Sequence, residues 1–126
     1  MKIKDIDHIT LTVTDLAATL RFYHEVFDMP IVQTDDGRQS VLCGKQAIKF
    51  QLTDKPHPPV AGVPTPGSAD FCIIVKDPLE EVKNHLISYY VPIIAGPVER
   101  NGAHGKITSF YINDPDNNLI EIAEYI

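Results

Sequence analysis

The sequence predicts an α+β chain of two tandem modules, each a strand, a helix and three further strands. Three observations carry that expectation. A stretch near the start recurs about halfway along, each copy shows a strand rhythm followed by a helix rhythm, and a proline-rich segment separates the copies.

The repeat sets Asp7-His8-Ile9-Thr10-Leu11-Thr12-Val13-Thr14-Asp15-Leu16 over Ala69-Asp70-Phe71-Cys72-Ile73-Ile74-Val75-Lys76-Asp77-Pro78. His8 falls on Asp70, Val13 on Val75 and Asp15 on Asp77, and the same displacement of 62 carries Met29-Pro30-Ile31-Val32 onto Val91-Pro92-Ile93-Ile94. The element between the paired segments therefore has one length in both copies.

In the first strand, His8, Thr10 and Thr12 alternate with Ile9, Leu11 and Val13, which predicts one polar and one apolar face. Asp15 and Asp77 are suited to cap the helices that follow, with Pro78 at a first helical position where its missing N–H is no loss. Leu16, Leu20, Tyr23 and Phe27 keep helical spacing in the first copy, as do Leu79, Val82, Leu86 and Tyr90 in the second. Pro30 and Pro92 are expected to stop the helices and open the next strands.

Later in each copy the displacement becomes 70, so that the hairpin Val41–Leu52 overlies Tyr111–Ile122 and Gln51 falls on Glu121. The difference requires eight extra residues in the second copy, placed around Glu99 to Lys106, where Arg100-Asn101-Gly102-Ala103-His104-Gly105 reads as a loop. Residues 54–68, with Pro56, Pro58, Pro59, Pro64 and Pro66, suit neither helix nor central strand and join the copies. The organisation expected is one domain over 1–126, with module one at about 1–53, a connector at 54–68 and module two at 69–126.

Composition narrows the function classes. A chain of 126 residues with 44% apolar content can bury one core, and no apolar run approaches the roughly 20 residues of a membrane span. A formal net charge of −6 argues against nucleic acid as the main partner, since phosphates are met chiefly by Lys and Arg. Met1-Lys2-Ile3-Lys4-Asp5 lacks the apolar core of a signal peptide, so a soluble, cytoplasmic protein is expected. Cys43 and Cys72 lie far apart in apolar stretches, without metal or redox spacing, and are expected to be reduced core thiols.

The chemistry follows from the repeat. Glu121 interrupts the apolar run Leu119-Ile120-Glu121-Ile122 after the turn Asp114-Pro115-Asp116-Asn117-Asn118; taken alone, it could simply face water from a strand whose neighbours face the core. If the copies are related by a pseudo-twofold, His8 and Asp70 are equivalent, as are Gln51 and Glu121. Four polar residues on the face away from the helices can then hold a divalent cation, each through a lone pair and two with neutralising charge.

These segments resemble the vicinal oxygen chelate superfamily, which includes glyoxalase I, extradiol dioxygenases, fosfomycin-resistance thiol transferases and bleomycin-binding proteins. The resemblance rests on Asp7-His8-Ile9-Thr10-Leu11 with Asp15-Leu16, Phe22-Tyr23, Gly67-Ser68-Ala69-Asp70-Phe71, Gly96-Pro97-Val98 and Asp114 to Glu121, and it spans nearly the whole chain. It implies two βαβββ modules forming a cupped mixed sheet around a metal, with helices on the outer face, and commonly a homodimer. Within one chain or across two chains, the modules then complete the site.

Carried over position by position, the resemblance implies His8 and Glu121 as metal ligands. Gln51 stands where the family uses Glu, Gln or His, and is either a ligand or a hydrogen-bonding residue of the pocket wall. Asp70 departs from the family's usual His, and either ligates the cation, orients a ligand or hydrogen-bonds the backbone. One imidazole, one amide and two carboxylates suit manganese, nickel, cobalt, magnesium or zinc. A single matched His disfavours the two-His, one-carboxylate iron site of extradiol cleavage.

The reading that follows is a glyoxalase-type lyase or isomerase of a small substrate with vicinal oxygens, passing through an enediolate-like intermediate with Glu121 as general base. The alternatives are a drug- or metabolite-binding resistance protein without catalysis, and a thiol transferase acting on an epoxide antibiotic. His24, His57 and His85 are expected on the surface, as is His104 in its loop, from which it could reach a substrate. Arg100 beside it could meet an anionic group.

Overall fold

A computed structural model describes all 126 residues. They form two compact units, Met1–Ser68 and Ala69–Ile126, each holding one copy of the repeat. Each unit contains one four-stranded mixed sheet and one helix, the tandem two-module α+β fold.

Unit one runs β1 (His8–Val13), α1 (Leu16–Phe27), β2 (Ile31–Gln33), β3 (Gln39–Cys43) and β4 (Gln46–Leu52), with sheet order β1-β4-β3-β2. β1 pairs parallel to β4, and the other pairs are antiparallel. α1 starts where Asp15 stays extended and its carboxylate accepts the Ala18 N–H at 3.0 Å, filling an amide the first turn leaves without a partner. It ends at Asp28, whose left-handed φ of 55° turns the chain toward Pro30.

α1 packs on β3 and β4, burying Thr19, Leu20, Tyr23 and Val26. The Tyr23 ring lies 5.5 Å from that of Phe50, which identifies the helix-facing side of β4. Residues paired across a parallel ladder share a face. Ile9, Leu11 and Val13 therefore join Ile48, Phe50 and Leu52 toward α1, while His8, Thr10 and Thr12 join Ala47, Lys49 and Gln51 on the opposite face.

Unit two runs β5 (Asp70–Ile74), α2 (Leu79–Ser88), β6 (Ala95–Gly102), β7 (Gly105–Asn113) and β8 (Leu119–Tyr125), in the matching order β5-β8-β7-β6. Its core includes Ile112, Ile120 and Ile122, all essentially fully buried, with Phe110 and Leu86.

The second unit departs from the sequence reading at several points. α2 is capped by Pro78 rather than Asp77, with no side-chain cap, because the fixed φ of −58° already prepares the turn; Glu80 and Glu81 then place negative charge at the helix start. Tyr90 continues the helical spacing but lies beyond the helix end with φ 58°, 93% exposed. The next strand opens at Ala95, after Val91–Ile94. The stretch around Glu99 to Lys106 is no loop: Arg100–Gly102 complete β6, Ala103-His104 make the turn and Gly105 begins β7. Alternation is lost to the eye there because most of β6 is exposed on both faces. Neither cysteine is core: Cys43 is half-buried and Cys72 exposed, both as free thiols.

Gly96 shows what close backbone approach requires. It has φ +103°, and a Cβ there would sit 2.4 Å from the Ser109 carbonyl oxygen and 3.0 Å from Phe110 Cα, both backbone atoms that cannot swing aside. Gly96→Ala is expected to destabilise the protein by at least about 2 kcal/mol in urea unfolding. Gly62→Ala, with open space around it, is the control and should change little.

Candidate functional site

Glu121 sits on β8, an interior strand of its sheet, half-exposed on the face opposite the apolar core. Its ladder partners are Cys72 on β5 and Tyr111 on β7. The Ser109 hydroxyl, itself fully buried, donates to Glu121 Oε2 at 2.5 Å, and no cation pairs with the carboxylate. One oxygen is thus held while Oε1 keeps its lone pairs open. Partial burial, and then the Glu121 charge beside it, push the Cys72 thiol up to about 11, so Cys72 is a neutral neighbour at physiological pH.

The turn before β8 is held from within. Asp114 Oδ1 accepts the N–H groups of Asp116 and Asn118, both at 2.9 Å, and Asn118 Nδ2 donates to Asp114 Oδ2 at 2.8 Å. Asn118 Oδ1 then accepts the Ala69 N–H at 2.9 Å, tying the turn to the residue just before Asp70. Asp114 and Asn118 are 5% and 1% exposed, so this turn is architecture that sets the β5–β8 register rather than surface loop. Asp70 opens β5 with its side chain exposed.

In unit one, His8 opens β1 with its Nδ1 2.8 Å from Asp7 Oδ2. A carboxylate on Nδ1 favours the tautomer that leaves Nε2 as a lone-pair donor, the arrangement common to imidazoles that bind metals. Gln51 stands differently. It is 6% exposed, its Nε2 donates to Thr12 Oγ1 at 3.0 Å and its Oε1 accepts the His57 N–H at 3.0 Å, so its amide joins β1, β4 and the connector.

The ladders also revise the repeat. Thr10 pairs with Lys49 and Cys72 with Glu121; the Asp7 carbonyl accepts from Ala47 N and the Ala69 carbonyl from Leu119 N. With Thr10 on Cys72 and Asp7 on Ala69, the residue equivalent to Glu121 is Lys49, and Gln51 falls on the buried Ala123. Sequence reasoning passed over Lys49. The signal available was the apolar-charged-apolar triplet Ile48-Lys49-Phe50 against Ile120-Glu121-Ile122.

Arg100 sends Nε to the Tyr111 hydroxyl at 3.2 Å and lies 5.8 Å over that ring, which fixes a guanidinium on the strand beyond Glu121's partner. His104 is in the β6–β7 turn, its N–H donating to the Tyr125 hydroxyl at 3.1 Å. His24, His57 and His85 are exposed, and His24 closes on the Met29 carbonyl. Within neither unit do three His, Cys, Asp or Glu side chains gather at one point.

The family model described as Glyoxalase/Bleomycin resistance protein/Dioxygenase superfamily matches residues 5–122. The chain belongs to this superfamily. It is 44% identical to the virulence protein STM3117 of Salmonella typhimurium over its full length and 88% of that protein, whose crystal structure superposes with a TM-score of 0.97, each chain wholly covered. It is 38% identical to the glyoxalase domain-containing protein RDO1 of Mycosarcoma maydis, covering 99% of this chain and 70% of that one. An integron cassette protein from the mobile metagenome of V. cholerae matches at 41% identity and a TM-score of 0.96, over 100% of this chain and 98% of that one. No helix is long and apolar enough to cross a membrane.

Two measurements check this geometry. In a Cys43→Ser background, alkylation of Cys72 should rise with pH through about 11, and Glu121→Gln should move that midpoint downward, because the carboxylate charge that opposes the thiolate is gone. Gln51→Ala should cost about 1–3 kcal/mol of stability, as the His57 N–H and Thr12 hydroxyl lose their partner.

Proposed function

We propose a glyoxalase-type lyase or isomerase acting on a small substrate with vicinal oxygens, in which Glu121 moves a proton between adjacent carbons. The observation that supports this most is the state of Glu121: a half-exposed carboxylate on an interior strand, unpaired with any cation, oriented by a buried serine and with one oxygen open. A carboxylate that served only solubility would have no need of a buried hydroxyl to hold it.

The donor chemistry fits a divalent cation at three of the four positions expected. In unit one His8 offers Nε2, and in unit two Asp70 and Glu121 offer carboxylate oxygens; each is a donor type that manganese, magnesium, nickel, cobalt or zinc accepts. Gln51 fits less well, since both ends of its amide already hold protein partners, and its proposed role is to fix β4 against β1. A bound cation would supply Lewis-acid polarisation of the substrate carbonyl. The chain's own residues do the rest: Asp7 orients His8, Ser109 orients Glu121, and Glu121 takes and returns the proton.

A resistance protein that binds a drug or metabolite without chemistry is the second reading. It is supported by the superfamily itself, whose description includes bleomycin resistance proteins. A cytoplasmic homodimer completes the proposal, as the superfamily often dimerises.

Glu121→Gln separates the two readings. The enzyme reading expects at least a hundredfold loss in kcat for hemithioacetal isomerisation or a related proton transfer, the usual scale for a lost general base, with substrate binding kept. His8→Ala should release the divalent metal found by elemental analysis after reconstitution. Metal content unchanged in His8→Ala, together with full turnover in Glu121→Gln, would sink the enzyme reading.

A further inference from the structure

The face of unit one that carries His8 also carries a pocket that the proposed chemistry leaves unused. Thr34, Asp36, Arg38, Gln39, Ser40 and Lys49 line it, with a cavity volume of about 90 Å³. Ser40 and Lys49 are ladder partners, so their side chains leave the sheet together, on the face opposite α1.

Its chemistry is one-sided. Lys49 and Arg38 are both half-buried residues, and neither charged side chain makes a hydrogen bond or a direct ion pair. Cations that lose part of their hydration without a partner are costly, and the cost is recovered when an anion arrives. Ser40 is 7% exposed, and its hydroxyl makes no hydrogen bond within the protein; its oxygen keeps access to the cavity, since every buried side-chain oxygen and nitrogen has a partner.

The one carboxylate in the lining is already engaged. Asp36 accepts the Thr34 hydroxyl and the Arg38 backbone N–H, which shapes the β2–β3 turn; these hydrogen bonds, and to a lesser degree the Arg38 charge, hold its carboxyl below the usual range, while no direct ion pair forms with either cation. Lys49, Arg38 and the Ser40 hydroxyl therefore line the cavity, with the Arg38 charge partly offset by Asp36 and Lys49 without a partner. The register adds an independent argument: Lys49 stands in module one where Glu121 stands in module two, a charge reversal at one position of the repeat.

We infer that this pocket is an oxyanion site, in which Lys49 and Arg38 supply charge and Ser40 a hydrogen bond to a carboxylate or phosphate group of a small molecule. The size limits the occupant to such a group and the atoms next to it, because drug-sized ligands take pockets of roughly 300–1,000 Å³. Arg38 can present two parallel N–H groups to a planar oxyanion, while Lys49 acts as a point charge. The site stands whether or not Glu121 is a base, and it is tested without metal.

Calorimetric titration of the metal-free chain at low ionic strength, with succinate and with inorganic phosphate in separate runs, is the test. One-to-one saturable binding of either is expected, and the preferred one identifies the source of the oxyanion. Lys49→Met and Arg38→Gln should each weaken it about tenfold or more, the scale of one lost charge-assisted contact, and Ser40→Ala by a smaller factor. Lys45→Met, in the exposed β3–β4 turn, controls for general loss of positive charge, and circular dichroism verifies that each variant folds. Absence of saturable binding for both anions overturns the inference. So does binding that survives Lys49→Met and Arg38→Gln unchanged, or that falls equally in Lys45→Met.

Discussion

Each unit depends on a parallel pairing between its first strand and its last. Parallel neighbours cannot be joined by a tight turn, so the chain must leave β1 or β5, cross over as a helix, and return through an antiparallel hairpin before the ladder closes. That closure makes the last strand an interior one, with a neighbour on either side and a helix-side face filled by apolar residues. Lys49 and Glu121 thereby become fixed points on a rigid strand instead of mobile loop residues.

The two closures are secured by different means. In unit two the Asp114–Asn118 turn satisfies its own amides and then reaches Ala69, so the start of β5 is hydrogen-bonded to the turn that feeds β8. In unit one the hairpin turn is the short Gly44-Lys45, with Gly44 at φ 59°, and the pairing is reinforced further along by Gln51 joining Thr12 and His57. Both ends of the Gln51 amide are hydrogen-bonded within the protein, as a buried amide requires.

The charge pattern then sorts the two polar faces. Module two presents a carboxylate oriented by Ser109, with Cys72 kept as a neutral thiol beside it and Arg100 fixed over Tyr111. Module one presents an imidazole oriented by Asp7 and an unpaired ammonium at the position that matches the carboxylate. The two units repeat one scaffold, and different residues at equivalent ladder positions give each its own electrostatics, which is how one fold comes to carry many chemistries.

The sequence by itself determined the repeat, the order strand, helix, three strands in each copy, the cap at Asp15, the superfamily and the face on which each polar residue lies. Those follow from apolar periodicity and local caps, which short segments carry on their own. It did not settle which residue of one copy opposes which of the other. The displacement of 70 put Gln51 on Glu121, whereas the ladders put Lys49 there. The physical reason is the period of a strand: a slip of two residues returns every side chain to the same face, so the hydrophobic pattern is identical before and after it. Only backbone pairing, closed by turns of different length, distinguishes the two registers.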